Sequence, residues 1–64
     1  MTITRWILAD AEDRRPRDHI IAVLRSESGL IHEANEYVGE KDKIKTLDDL
    51  ADFGLCFYFY TEGQ

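Results

Sequence analysis

His32-Glu33-Ala34-Asn35-Glu36 is the segment of this chain that comes nearest to a catalytic pattern. A zinc-protease helix grips its ion with two histidines one turn apart and keeps a glutamate beside the first as general base. Here the second ligand position holds Glu36, so one imidazole and one carboxylate remain, and both read as a solvated helix face. His19, beside Asp18, reads as a surface imidazole in the same way. Cys56 is the only cysteine, so no disulfide can form within these residues. It lies between Leu55 and Phe57, whereas a reactive thiol needs an electropositive, partly open setting. The sequence has no Gly-rich phosphate loop, no paired cysteines and no nucleophile elbow. The expectation is no catalytic residue, no metal ligand and no cofactor.

Charge carries the remaining signal. Eight basic against 13 acidic residues give a formal net charge of −5 on 64 residues. Residues 1–32 hold five bases and five acids, while residues 33–64 hold three bases and eight acids, so the whole excess lies in the second half. Direct nucleic-acid binding is disfavoured, because it draws on Lys and Arg neutralising phosphates. A basic partner is favoured instead. On a helix, carboxylates at i, i+3 and i+4 stand about 5–6 Å apart at Cβ, a density comparable to one phosphate per roughly 3.4 Å of a nucleic-acid strand. Glu33, Glu36 and Glu40 form one such stripe and Asp48, Asp49 and Asp52 a second.

The elements that must carry these groups can be read from periodicity. Leu55-Cys56-Phe57-Tyr58-Phe59-Tyr60 reads as a strand covered on both sides, with Leu55, Phe57 and Phe59 on one face and Cys56, Tyr58 and Tyr60 on the other. Cys56 is then a buried small hydrophobe. Ile3 to Ala9 reads as a second strand, with Ile3, Arg5, Ile7 and Ala9 opposite Thr4, Trp6 and Leu8; either face could meet the phenylalanines. Asp10 to Arg15 is a charged connector over the surface. Residues 16–27 are expected to be a helix, opened by Pro16, striped by Ile20, Ile21, Val23 and Leu24, and stopped at Gly29; the rival is a strand over Ile20 to Leu24. From Gly29 to Gly39 the grouping of Leu30, Ile31, Ala34, Tyr37 and Val38 favours a helix over a hairpin strand. Thr46 caps a further helix whose stripe is Leu47, Leu50, Ala51 and Phe53, with Gly54 as its stop. Thr61 to Gln64 reads as a fraying tail.

The fold class expected is α+β: a single domain over 1–64, with a sheet of two to three strands covered by two or three short helices. Sixty-four residues leave room for one small core, and an enclosed pocket of about 300 Å³ would hollow out much of it. The apolar runs fall far short of the roughly 20 residues that cross a bilayer, and the first residues lack a signal-like pattern.

A very short, acidic, single-cysteine α+β chain without an enzymatic motif resembles the small inhibitors carried by phages and mobile elements, in particular anti-CRISPR proteins and anti-restriction DNA mimics. The resemblance covers the whole chain in size and charge. It implies a non-enzymatic monomer in the cytoplasm of the host cell, which binds a basic protein or nucleoprotein complex, a nuclease or CRISPR effector, and touches neither nucleic acid nor membrane. By this resemblance Glu33, Glu36, Glu40, Asp48, Asp49 and Asp52 meet Arg and Lys of the target. Arg14, Arg15 and Arg17 depart from a uniformly acidic mimic. The alternative is a structural or assembly module that pairs with itself or another chain through the Tyr58 and Tyr60 face.

Overall fold

β-branched and aromatic residues dominate both ends of the chain, and both ends become long strands. In the computed structural model, which describes residues 2–13, 15 and 18–63, β1 (Thr2–Asp10) is the centre of a three-stranded sheet. It lies between β2 (Ile20–Leu24) and β3 (Leu55–Gly63), antiparallel to both. The β1–β3 ladder is unbroken, from Thr2 opposite Gly63 to Asp10 opposite Leu55. Its register sets Leu8 against Phe57 and Trp6 against Phe59, with the Trp6 and Phe59 ring centroids 5.1 Å apart. The face bearing Trp6 and Leu8 is therefore the phenylalanine face of β3, where Phe57 packs on the core and Phe59 lies exposed beyond it, and Ile3, Arg5, Ile7 and Ala9 lie on the other side with Cys56, Tyr58 and Tyr60.

Two expectations about the strands need correction. β3 is covered on one face only, because a chain this short builds two layers and not three; Leu55 is buried, but Tyr58 to Gly63 are exposed. Thr61 to Gly63 do not fray either, since each is paired across to Thr4, Ile3 or Thr2. Gln64 lies outside the described residues.

The helix expected over 16–27 is replaced by β2. Ile20, Ile21, Ala22, Val23 and Leu24 satisfy a helical stripe, but three of the five are β-branched and β1 offers them a free edge to pair with. One step along β1, from Leu8 to Ala9, corresponds to two along β2, from Ala22 to Ile20. The extra residue is Ile21, a bulge that turns its side chain toward the core while Ile20 and Val23 stay on the open face. Pro16 and Arg17 of the expected helix, and Arg14 of the connector, lie outside the described residues.

α1 (Glu27–Val38) begins where the expected helix would have ended. Ser26 has extended backbone and its hydroxyl accepts from the Gly29 N–H at 3.0 Å, so Gly29 belongs to the first turn and is not a stop. Leu30 and Ala34 are fully buried against the sheet, with Ile31 and Val38 packed beside them. Tyr37, placed on the same stripe, is exposed instead. Gly39 ends the helix at φ 72°, a left-handed conformation that costs little without a Cβ.

The chain then returns under α1. Asn35 holds this return: its amide NH₂ donates to the carbonyls of Ile31 at 3.1 Å and Ile44 at 2.9 Å, while its carbonyl accepts from the Ile44 N–H at 2.9 Å. Ile44 is thereby pinned into the core. A 3-10 helix, Leu47–Phe53, follows where a helix was expected. Its threefold period puts Leu47 and Leu50 on the core, while Ala51 falls off that row and Phe53, at its end, stays exposed, so neither joins the buried stripe expected of them. Gly54, at φ 72°, turns the chain into β3.

Candidate functional site

The acidic residues stand on the two elements above the sheet, but they do not act alike. Glu33 is half-buried on α1. Glu36 is exposed and meets His32 at 3.1 Å, so the pair that outlined a half-formed metal motif is an i,i+4 ion pair when the imidazole is charged. Glu40 lies beyond the Gly39 cap, where its N–H donates to the Asn35 carbonyl at 3.1 Å; it does not extend the α1 row. Asp48 and Asp52 are exposed.

Asp49 is committed to its own helix. Thr46 and Asp49 are arranged as a capping box, in which the Asp49 carboxylate accepts from the Lys45 N–H at 2.9 Å and the Thr46 N–H at 3.1 Å. Those two donors, Lys45 first, hold its pKa below the ordinary carboxylate value. A depressed carboxylate contributes stability that is present above its unfolded pKa of about 4 and is lost as pH falls through the lower folded value. Asp49→Asn is therefore expected to lower the melting temperature at neutral pH and to leave a shallower decline between neutral and acid pH. Thermal melts followed by circular dichroism across that range check it; an unchanged pH profile would refute the cap assignment.

Two of the described arginines of the first half, Arg5 and Arg15, are held in ion pairs. Arg15 binds Asp13 at 2.8 Å and Asp18 at 3.4 Å within the connector. Its guanidinium, and then its backbone N–H, bring the Asp13 pKa down to about 2. Arg5 reaches across β1–β3 to Glu62 at 2.8 Å. Neither guanidinium is paired with the acidic stripes of the second half.

The second surface is the open face of the sheet. Ile3, Ile20, Val23, Tyr58 and Tyr60 remain 39%, 42%, 53%, 48% and 47% exposed there, around a half-buried Ile7 and Cys56. Ala9 sits in their midst and is fully buried. Its small side chain is opposite Ile20 on one side and Cys56 on the other. That leaves room for His19, at the start of β2, to meet Tyr58 of β3 edge to face, with centroids 5.8 Å apart. The His19 ring is anchored by a 3.1 Å hydrogen bond between Nδ1 and the Arg15 carbonyl. His19 is thus half-buried in an aromatic contact and is not a free surface imidazole. The Cys56 thiol donates to the Tyr58 hydroxyl at 3.8 Å, and that bond pushes the phenol pKa up. The sequence signal for this face was the alternation that grouped Ile3, Ile7 and Ala9 on β1 and Cys56, Tyr58 and Tyr60 on β3; Ile20 and Val23 belong to the segment expected to be a helix.

Depressions among the described residues interrupt the surface. One, of about 350 Å³, is an open trough at the end of α1 beside His32, Glu36, Lys41 and Asp42. Another, of about 260 Å³, lies between the 3-10 helix and the first residues of β3. Among the described residues, no group of three His, Cys, Asp or Glu side chains is placed to hold a metal ion, and no helix is long and apolar enough to cross a membrane.

Fold and surfaces together define a small α+β domain whose sheet is clothed on one side and bare on the other. No protein-family model matches the chain, and no curated protein and no solved structure matches it either.

Proposed function

We propose that this chain is a non-enzymatic protein-binding module that docks a partner on the open face of its sheet. One observation carries the reading. The described buried core consists of seven apolar residues, yet five further large apolar or aromatic side chains are left about half exposed together on a single face. Apolar side chains gathered on one face, interrupted there by the Arg5–Glu62 pair, are uncommon on a chain that has no use for them, and tyrosines suit a docking face because an apolar ring carries a hydrogen-bonding tip. The net charge of −5 favours a basic partner and speeds its approach.

A second reading, the inhibitor that occupies a basic nucleic-acid-binding site, is favoured by Glu40, Asp48 and Asp52, which are exposed and form no ion pair with another described residue. The commitment of Asp49 to the cap and of Glu36 to His32 weighs against it. The two readings separate in a selection from a displayed library of random peptides against the intact protein. Val23→Asp is expected to abolish binding of the selected peptides, while Asp48→Lys with Asp52→Lys leaves it within about threefold. The reverse pattern, or no binders at all, overturns the docking reading.

A further inference from the structure

The two outer strands of the sheet are built differently. β2 is five residues long, bulged, and followed at once by Arg25, features that discourage a further strand from pairing. β3 is nine residues long, contains no Pro and no Lys, and keeps a bulge-free register with β1. Outside that ladder, none of the backbone hydrogen bonds among the described residues involves Leu55–Gly63. From Tyr58 onward every residue of the strand through Gly63 is exposed.

Moreover, β2 pairs with β1 only from Trp6 to Ala9. Thr2–Arg5 and Tyr60–Gly63 therefore extend as a two-stranded ribbon, an arrangement that is marginal in water without a third strand or a covering layer. We propose that two copies of this chain pair along β3, antiparallel about a twofold axis at Tyr60, into one six-stranded sheet.

The register follows from what is exposed. Leu55–Phe57 lie beside the 3-10 helix, so the free stretch is Tyr58–Glu62, and Tyr60 is its midpoint. A twofold axis there sets Tyr60 against Tyr60 on the open face, Phe59 against Thr61 on the other, and Tyr58 against Glu62. Aromatic pairs and aromatic pairs with a β-branched residue are the combinations that stabilise neighbouring strands. Charge selects the same place. Two bodies of charge −5 repel over most of their surfaces, but the only charged residue of β3 is Glu62, already bound to Arg5 at 2.8 Å.

Area sets the strength. Tyr58, Phe59 and Tyr60 are 48%, 59% and 47% exposed, and at about 150–250 Å² per aromatic side chain they leave roughly 300 Å² per copy. With the strand backbone added this stays below the approximately 800 Å² per partner of a tight complex, so the dimer is reversible and concentration-dependent. Salt, by screening the net repulsion, tightens it.

Sedimentation of the wild-type chain over a wide range of concentration is expected to show a monomer–dimer equilibrium that shifts toward dimer with added salt. Tyr60→Lys and Tyr60→Glu, with folding checked by the near-ultraviolet signal of Trp6, are each expected to sediment as monomers, because like charges then face each other across the axis. Mixed together, they are expected to dimerise again. In mixed isotopically labelled wild-type protein, Thr61 of one copy gives a cross-peak to Phe59 of the other; this reads the register without any substitution. A wild type that is monomeric at every concentration, a Tyr60→Lys dimer, or a mixture that stays monomeric overturns the pairing. So does a monomer that takes up an unrelated extended peptide along β3. The pairing goes beyond the docking function and fails separately from it: Val23 is on β2, the opposite edge strand from β3, and Val23→Asp is expected to remove docking while leaving the dimer intact.

Discussion

Leu8→Ala is expected to remove half or more of the stability of this domain. Leu8 is 0% exposed in the C-terminal half of the central strand, opposite Ala22 on β2 and Phe57 on β3, and belongs to one core cluster with Leu30, Ala34, Ile44, Leu50 and Leu55. Truncating such a side chain forfeits its transfer free energy and leaves a cavity that the neighbours close only in part, about 2–5 kcal/mol. Against this, a chain of 64 residues has roughly 3–10 kcal/mol in total, at about 0.05–0.15 kcal/mol per residue. The neighbours of Leu8 are spread over β2, β3, α1, the 3-10 helix and the segment carrying Ile44, so no single segment can move in to fill the space. Urea denaturation should show a large fall in midpoint with little change in slope. Val23→Ala, half exposed on the same sheet, serves as the comparison and should stay within about 1 kcal/mol. A Leu8→Ala midpoint close to that of Val23→Ala would contradict the core assigned here.

The contrast between Leu8 and Ile20 shows how far the amino-acid sequence reaches. β1, β3, the helix through Leu30 to Val38 and the stop at Gly54 were legible because each is set by local chemistry: alternating or β-branched runs, a grouped apolar stripe, a residue tolerant of positive φ. Ile20 to Leu24 was not, because its pattern satisfies a helix and a strand alike. What settles it is the unpaired edge of β1, which is distant in sequence. The two-sided cover inferred for β3 failed for a related reason: Leu55 to Tyr60 report that both faces are apolar, not that the chain has enough residues to cover both.

The acidic site was legible only as composition. Glu33, Glu36 and Glu40 share a sector of an ideal α-helix, but Gly39 interrupts it before Glu40. Asp48, Asp49 and Asp52 would cluster on an α-helix, but the segment winds with a threefold period, and Asp49 folds back on its own N-terminus. What the residues do locally was decided by hydrogen bonds that a helical wheel does not contain. The open face was legible in part, since Tyr58 and Tyr60 were expected on one side of β3. Ile20 reached that side only through the Ile21 bulge.

Asn35 is the residue whose importance charge and hydropathy conceal most completely, and its replacement is expected to have the next largest effect after Leu8. Its side chain gives Ile44 what a neighbouring strand would give, a donor to the carbonyl and an acceptor from the N–H. That allows a segment without regular structure to carry a fully buried isoleucine. Asn35→Ala leaves both backbone groups of Ile44 without those partners. At about 1–3 kcal/mol for each buried polar group left unsatisfied, and with both bonds only part-buried so that the lower half of that range applies, the loss is roughly 2–4 kcal/mol. Asn35→Asp sharpens the test. It keeps an acceptor for the Ile44 N–H but turns a carboxylate oxygen toward the carbonyls of Ile31 and Ile44, which favours the protonated form and raises the folded pKa above its unfolded value of about 4. A raised folded pKa means stability that is greatest below the unfolded pKa and falls as pH rises through the folded one. Asn35→Asp should therefore be more stable near pH 4 than near pH 7 relative to the wild type at the same pH, in urea denaturation at each value. If Asn35→Asp shows no such pH dependence and Asn35→Ala loses less than about 1 kcal/mol, the side chain does not hold Ile44 in the core, and the return beneath α1 must be fixed by packing alone.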